Sequence, residues 1–188
     1  MKTLINGRWT DRKEEKQSND GSFKRKDTEF RNWITPDGSP GETGVGGFKA
    51  ESGRYHLYVS LACPWAHRTL IFRKLKNLEP HIGVSIVHPI MLENGWEFRT
   101  DFSQCTGDQI LGKNSIFEVY LAADKNITSR ASVPVLWDVK QATIVSNESS
   151  EIIRMFNSAF EQMSVNELDL YPRTLRTEID ELNAMIYD

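Results

Sequence analysis

Cysteine is scarce in this chain. Only Cys63 and Cys105 occur among its 188 residues, which excludes a disulfide framework and makes a reducing, cytoplasmic setting the default expectation. Long apolar runs are missing as well: none approaches the ~18 residues that a membrane span needs. The N-terminus, Met1 to Arg8, lacks the apolar core of a secretory signal. Nor is there an excess of basic residues. The net charge is −3, which argues against a nucleic-acid surface. His67 follows Cys63 at a spacing that suits a metal pair, but no further ligands are evident, so no metal is expected. The remaining composition, 39% hydrophobic, is that of a globular protein large enough for a real core.

The most informative stretch runs from Arg54 to Leu70. Tyr55 to Ala62 is nearly all apolar, as a strand covered on both faces should be. Pro64 suits the first position of a helix, where its missing N–H costs nothing. Ala66, Leu70, Ile71, Leu75 and Leu78 then form one helical face. Cys63 falls at the junction, where free N–H groups and the positive end of the helix dipole converge. There a thiol pKa of about 8.5 can fall to roughly 3.5–7.5, so much of the sulfur is thiolate at neutral pH. His67 and Arg68 add positive field one turn in. The alternative is a small buried hydrophobe that happens to precede a proline. Ala66 stands where a Cys-x-x-Cys motif would have its second cysteine. A lone reactive thiolate must exchange with a thiol from elsewhere, and glutathione is the natural one.

Residues 1 to about 50 carry little regular pattern. Asp11 to Lys26 reads as solvated loop, and Thr35 to Gly47 is rich in glycine and proline. Yet Phe23, Phe30, Trp33, Ile34 and Phe48 are spaced through this part, and side chains of that size usually bury. The expectation is an extension draped over a domain, with a disordered tail as the alternative.

Beyond the cysteine helix, Gly83 to His88 alternates as a strand ended by Pro89. Residues 90–114 form a long loop carrying Trp96, and loops of that length are often functional. Ser115-Ile116-Phe117-Glu118 is a capping box that opens a helix through about Ala123. Val133–Trp137 and Ala142–Val145 flank a turn at Asp138–Gln141. Several N-cap candidates between Ser146 and Ser150 precede an amphipathic helix through Ile152, Ile153 and Phe156. The order is β-α-β-α-β-β-α, an α/β arrangement with the thioredoxin-like succession of elements. Pro134 then stands where that fold places a cis-proline facing the cysteine. From Asn166 the pattern changes, and Leu175, Ile179, Leu182 and Ile186 repeat at helical spacing to the last residue. The expected division is an N-terminal extension (1–50), a thioredoxin-like glutathione-binding domain (51–165), and a linker with the first helix of a truncated helical domain (166–188). A natural C-terminal helix folding back is the alternative.

Ser60 to Arg68, Leu92 to Trp96, Val133 to Asp138 and Val145 to Ile153, together with Phe30-Arg31-Asn32-Trp33, closely resemble the glutathionyl-hydroquinone reductases. These form the xi class of the glutathione transferases. The resemblance implies a thioredoxin-like domain followed by an all-helical one that builds a homodimer and part of the quinone pocket. It implies reduction of S-glutathionyl hydroquinones, with glutathione as co-substrate. Cys63 would attack the glutathione sulfur and a second glutathione would resolve the mixed disulfide. Val133, before Pro134, would pair its backbone with the cysteinyl part of glutathione. Glu148 and Ser149 would hold the γ-glutamyl end, and Trp96 and Arg130 would flank the glycyl end. Glu148 could instead be a first-turn acid, Ser149 a helix cap, Arg130 a solvated cation and Trp96 core. Cys105 is read as a bystander, and His81 and His88 stay unassigned. A glutaredoxin-like or dehydroascorbate-reducing enzyme of the same fold, or a non-catalytic interaction module, are the competing readings. With the quinone half-site missing, weak or no turnover of quinone conjugates and a tendency to self-associate through the exposed last helix are expected.

Overall fold

The computed structural model describes residues 2–11, 28–164 and 166–187. Its first element is not among those expected from the sequence pattern. Strands β1 (Lys2–Ile5) and β2 (Arg8–Asp11) form an antiparallel hairpin. The two linking residues, Asn6 and Gly7, have φ of 47° and 73°, the left-handed pair that a two-residue hairpin turn requires. Asp11 therefore closes a strand and does not open a loop. The rest of the expected loop to Lys26, with Phe23, lies outside the described residues. Leu4 anchors the hairpin: it is fully buried, and its N–H and carbonyl pair with Ser129. Trp33, Ile34 and Phe48 are buried in the core.

Strand β3 (Tyr55–Val59) is buried along its whole length. Helix α1 (Pro64–Leu75) follows. Its inner face differs from the one expected. Ala66 and Thr69 are buried, whereas Ile71 and Leu75 are 44% and 43% exposed. Lys76, just beyond the helix, is buried instead, because the chain folds back over it. Its ammonium donates to the Leu168 carbonyl and its own carbonyl accepts from the Ser164 hydroxyl. A lysine can bury its stem when its charged end finds such an acceptor.

Strand β4 (Ile82–Ile86) runs parallel to β3. Helix α2 (Ile116–Ala123) starts at the expected capping box, where the Glu118 carboxylate accepts the Ser115 N–H at 2.9 Å. Strands β5 (Val135–Asp138) and β6 (Thr143–Ser146) are antiparallel neighbours. Asp138 shapes their turn by accepting the Lys140 N–H at 2.8 Å and the Gln141 N–H at 3.2 Å. Helices α3 (Ser149–Ser158) and α4 (Arg176–Tyr187) complete the chain. Leu182, Met185 and Ile186 on α4 are exposed. Among the described residues no helix is long and apolar enough to cross a membrane.

The sheet order is β4-β3-β5-β6, and α1 packs on α3. This is the succession read from the sequence. Alternation along β3 sends Tyr55 to one face, where it meets Phe160 edge-on at 6.1 Å. His56 and Tyr58 lie on the other, where the long loop after β4 covers them. Tyr58 donates to the Asp108 carboxylate at 3.0 Å, His56 pairs with Ser85 at 2.8 Å, and Phe98 packs on Tyr58. The length of that loop thus has a structural use: it is the lid on one side of the sheet.

Candidate active site

Cys63 is the N-cap of α1, with extended backbone (φ −102°, ψ 115°). Its carbonyl already accepts the His67 N–H at 2.9 Å, which begins the helix. Pro64 follows at the first position, as its locked φ favours. The sulfur thus sits at the positive end of a twelve-residue helix, a place suited to an anion. The thiol is partly buried and donates to the Val133 carbonyl at 3.5 Å. The Val133–Pro134 peptide is cis. Both residues are buried, so Cys63, Val133 and Pro134 come together.

A second cluster forms where α3 begins. Here the two roles weighed for Glu148 and Ser149 are exchanged. Glu148 is the cap: its carboxylate accepts the Ser150 N–H at 3.2 Å and the Ser150 hydroxyl at 2.9 Å. Ser149 is the first helical residue and is buried. Arg68 of α1 donates to its hydroxyl from Nε at 3.0 Å and from Nη2 at 2.7 Å. The same guanidinium lies 3.8 Å from Glu148 and 5.0 Å over the ring of Trp65. Arg68 lies five positions beyond Cys63, about 7.5 Å of helical rise, so α1 joins the two clusters. From sequence alone Arg68 is only a source of general positive field. Its contact with Ser149 spans 81 positions and carries no local signal.

Tyr120 is another residue that the sequence did not single out. It is fully buried on α2, and burial pushes its hydroxyl above the usual range. That hydroxyl donates to the Ser132 carbonyl at 3.1 Å and accepts from the Asn147 side chain at 2.9 Å. It thereby ties the residue before Val133 to the residue before Glu148. A protonated phenol can serve both contacts at once.

Trp96 and Arg130 stand on other segments. Trp96 is partly buried against the core, and its carbonyl accepts the Ile116 N–H at the head of α2. Arg130 is exposed, three residues ahead of Val133. Both segments are braced by the N-terminal hairpin: Trp9 stacks on Phe117 at 4.7 Å and approaches Gly95, and Leu4 pairs with Ser129. His81 bonds to the Ser52 hydroxyl, 29 positions earlier, at 2.8 Å, and the His88 ring accepts the Ile90 N–H at 3.1 Å.

Chemically, a sulfur at a helix head, beside a backbone carbonyl and next to a second helix head lined by a hydroxyl and a guanidinium, suits thiol exchange with a small anionic thiol. Residues 62–159 match the family described as glutathione S-transferase, N-terminal domain. Glutathionyl-hydroquinone reductase YqjG of Escherichia coli is 57% identical over 188 residues, which is 100% of this chain and 57% of that protein. The glutathione-bound structure of YqjG superposes with a TM-score of 0.83 at 62% identity, over 85% of this chain and 52% of that one. A xi-class transferase from Natrialba magadii gives a TM-score of 0.88 at 44% identity, over 100% of this chain and 55% of that one. The chain thus spans about half the length of the relatives it matches.

Proposed function

Because the chain belongs to the glutathione S-transferase family and is homologous throughout to xi-class members and glutathionyl-hydroquinone reductases, we propose that it supplies the nucleophile and the glutathione half-site of such a reductase. Cys63 is the catalytic residue. Its thiolate attacks the sulfur of an S-glutathionyl hydroquinone. The sulfur–carbon electron pair leaves with the ring carbon, which takes a proton, so hydroquinone departs and a Cys63–glutathione disulfide remains. A second glutathione attacks that disulfide, releasing oxidised glutathione and restoring the Cys63 thiolate. Val133 and Pro134 carry the cysteinyl part. Glu148, Ser149 and Arg68 hold the γ-glutamyl end, with ammonium to Glu148 and carboxylate to the α3 head. Trp96 and Arg130 flank the glycyl end. The division into an extension, a thioredoxin-like unit and the start of a helical domain belongs to the same reading, as does dimerisation of the longer protein.

The observation that carries this reading is the thiol of Cys63 held at the head of α1, 3.5 Å from the Val133 carbonyl. Its test is mass spectrometry after mixing the chain with a glutathionyl hydroquinone. A glutathione adduct on Cys63 supports it. An intact conjugate with both cysteines free would sink it. Adducts formed equally well from glutathionylated peptides would favour a glutaredoxin-like transferase.

A further inference from the structure

The segment Phe30–Asn32 runs along the free edge of β6 and holds the turn into α3. The Asn32 N–H donates to the Val145 carbonyl at 2.9 Å, and the Asn147 N–H donates to the Phe30 carbonyl at 3.2 Å. Phe30 packs on Tyr120, with ring centroids 6.0 Å apart. Between these contacts Arg31 reaches Glu151 with two nitrogens, Nε at 2.7 Å and Nη2. Glu151 is 6% exposed and lies in the first turn of α3. The carboxylate buried there shares the head of α3 with the Glu148 cap, the same helix head to which the proposed γ-glutamyl carboxylate would bind. Two anions at one helix head repel unless one is neutralised.

We infer that Arg31 is a positioning residue for the γ-glutamyl subsite: by neutralising Glu151 it leaves the head of α3 free to attract a second carboxylate. This rests on the glutathione half-site proposed above. The groups around Glu151 define its balance. From the edge segment comes Arg31; from α3 and its cap come Glu148 and, through Ser149, the α1 residue Arg68; from β6 comes the Ser146 hydroxyl, 3.5 Å away. Burial pushes the Glu151 carboxyl up and Arg31 opposes that. Without Arg31 the carboxyl is an unbalanced anion at neutral pH and takes a proton more readily as the pH falls.

The probe is S-methylglutathione, titrated calorimetrically into the full chain at about pH 7.5 and about pH 5.5, the lower pH favouring the neutral form of a buried carboxyl. Arg31→Met should weaken binding roughly three- to tenfold at the higher pH, the range of a charge at a helix end, and approach the unaltered chain at the lower. The double variant Arg31→Met with Glu151→Gln should recover most of the affinity at both, and Arg31→Lys most of it alone. A loss in Arg31→Met that neither acid nor Glu151→Gln repairs would overturn the inference, because a merely structural role predicts that. So would Arg31→Met binding as tightly as the unaltered chain. If the unaltered chain binds no S-methylglutathione, the half-site reading itself fails, and the inference falls with it.

Discussion

Cys63 and Cys105 are alike in most respects. Both are partly buried, and each thiol donates to a backbone carbonyl, that of Val133 at 3.5 Å and that of Val87 at 3.4 Å. They differ in the backbone behind the sulfur. Cys63 heads a twelve-residue helix. Cys105 lies in an irregular segment, and its N–H donates to the Phe102 carbonyl at 2.9 Å. Burial, then the Asp101 carboxylate, push the Cys105 thiol up, with Arg99 opposing. Exposure alone therefore does not distinguish the two thiols. In the proposed function it is the orientation of the surrounding dipoles that selects Cys63.

Substitution should separate the two thiols most strongly. Cys63→Ala should abolish the glutathione adduct altogether, whereas Cys105→Ala should leave its rate within about twofold, since a partly buried thiol outside the site acts as a small hydrophobe. Peptide mapping after exposure to the conjugate reads both.

Acid should separate the two regions next. The loop carrying Cys105 is pinned by the network of His56, Ser85, Tyr58 and Asp108. Burial lowers the pKa of His56 from 6.5 to about 4, so the folded chain holds it neutral. The unfolded or opened form takes the proton first. Stability is therefore full above about pH 6.5 and declines as the pH falls toward 4, by up to roughly 3 kcal/mol for that depression. Hydrogen exchange should rise in residues 99–113 before it rises around Cys63. Simultaneous loosening of both regions would count against this.

A smaller effect should come from Arg68→Met. Loss of its bonds to Ser149 should weaken glutathione binding roughly three- to tenfold. Alkylation of Cys63 by a neutral reagent should change less than about twofold, because the helix head is untouched. A large fall in alkylation would show that Arg68 serves the sulfur directly.

How much of this was legible in the sequence depended on how local the cause was. The Cys63-Pro64 junction, the Ser115–Glu118 capping box and the turn at Asp138 are set by neighbours a few residues apart, and the structure has them where the pattern put them. The Asn6-Gly7 turn was equally local but was obscured by the charged run that follows it. The inner face of α1 departs from the expected one at Ile71 and Leu75, which face outward, and the burial of Lys76 just beyond the helix depends on a carbonyl 92 positions away. The bonds of Arg68 to Ser149, Tyr120 to Asn147 and Arg31 to Glu151 span 81, 27 and 120 positions. Such contacts exist only once the sheet has formed.

The most direct test is competitive alkylation of the two cysteines by limiting iodoacetamide near pH 7, first on the folded chain and then in strong urea. The account predicts that folded Cys63 is labelled at least about tenfold faster than Cys105, and that urea brings the two rates together, because the features that distinguish the sulfurs, the α1 head at Cys63 and burial beside Asp101 at Cys105, exist only in the folded chain. Equal labelling in the folded chain, or a preference that survives unfolding, would contradict it.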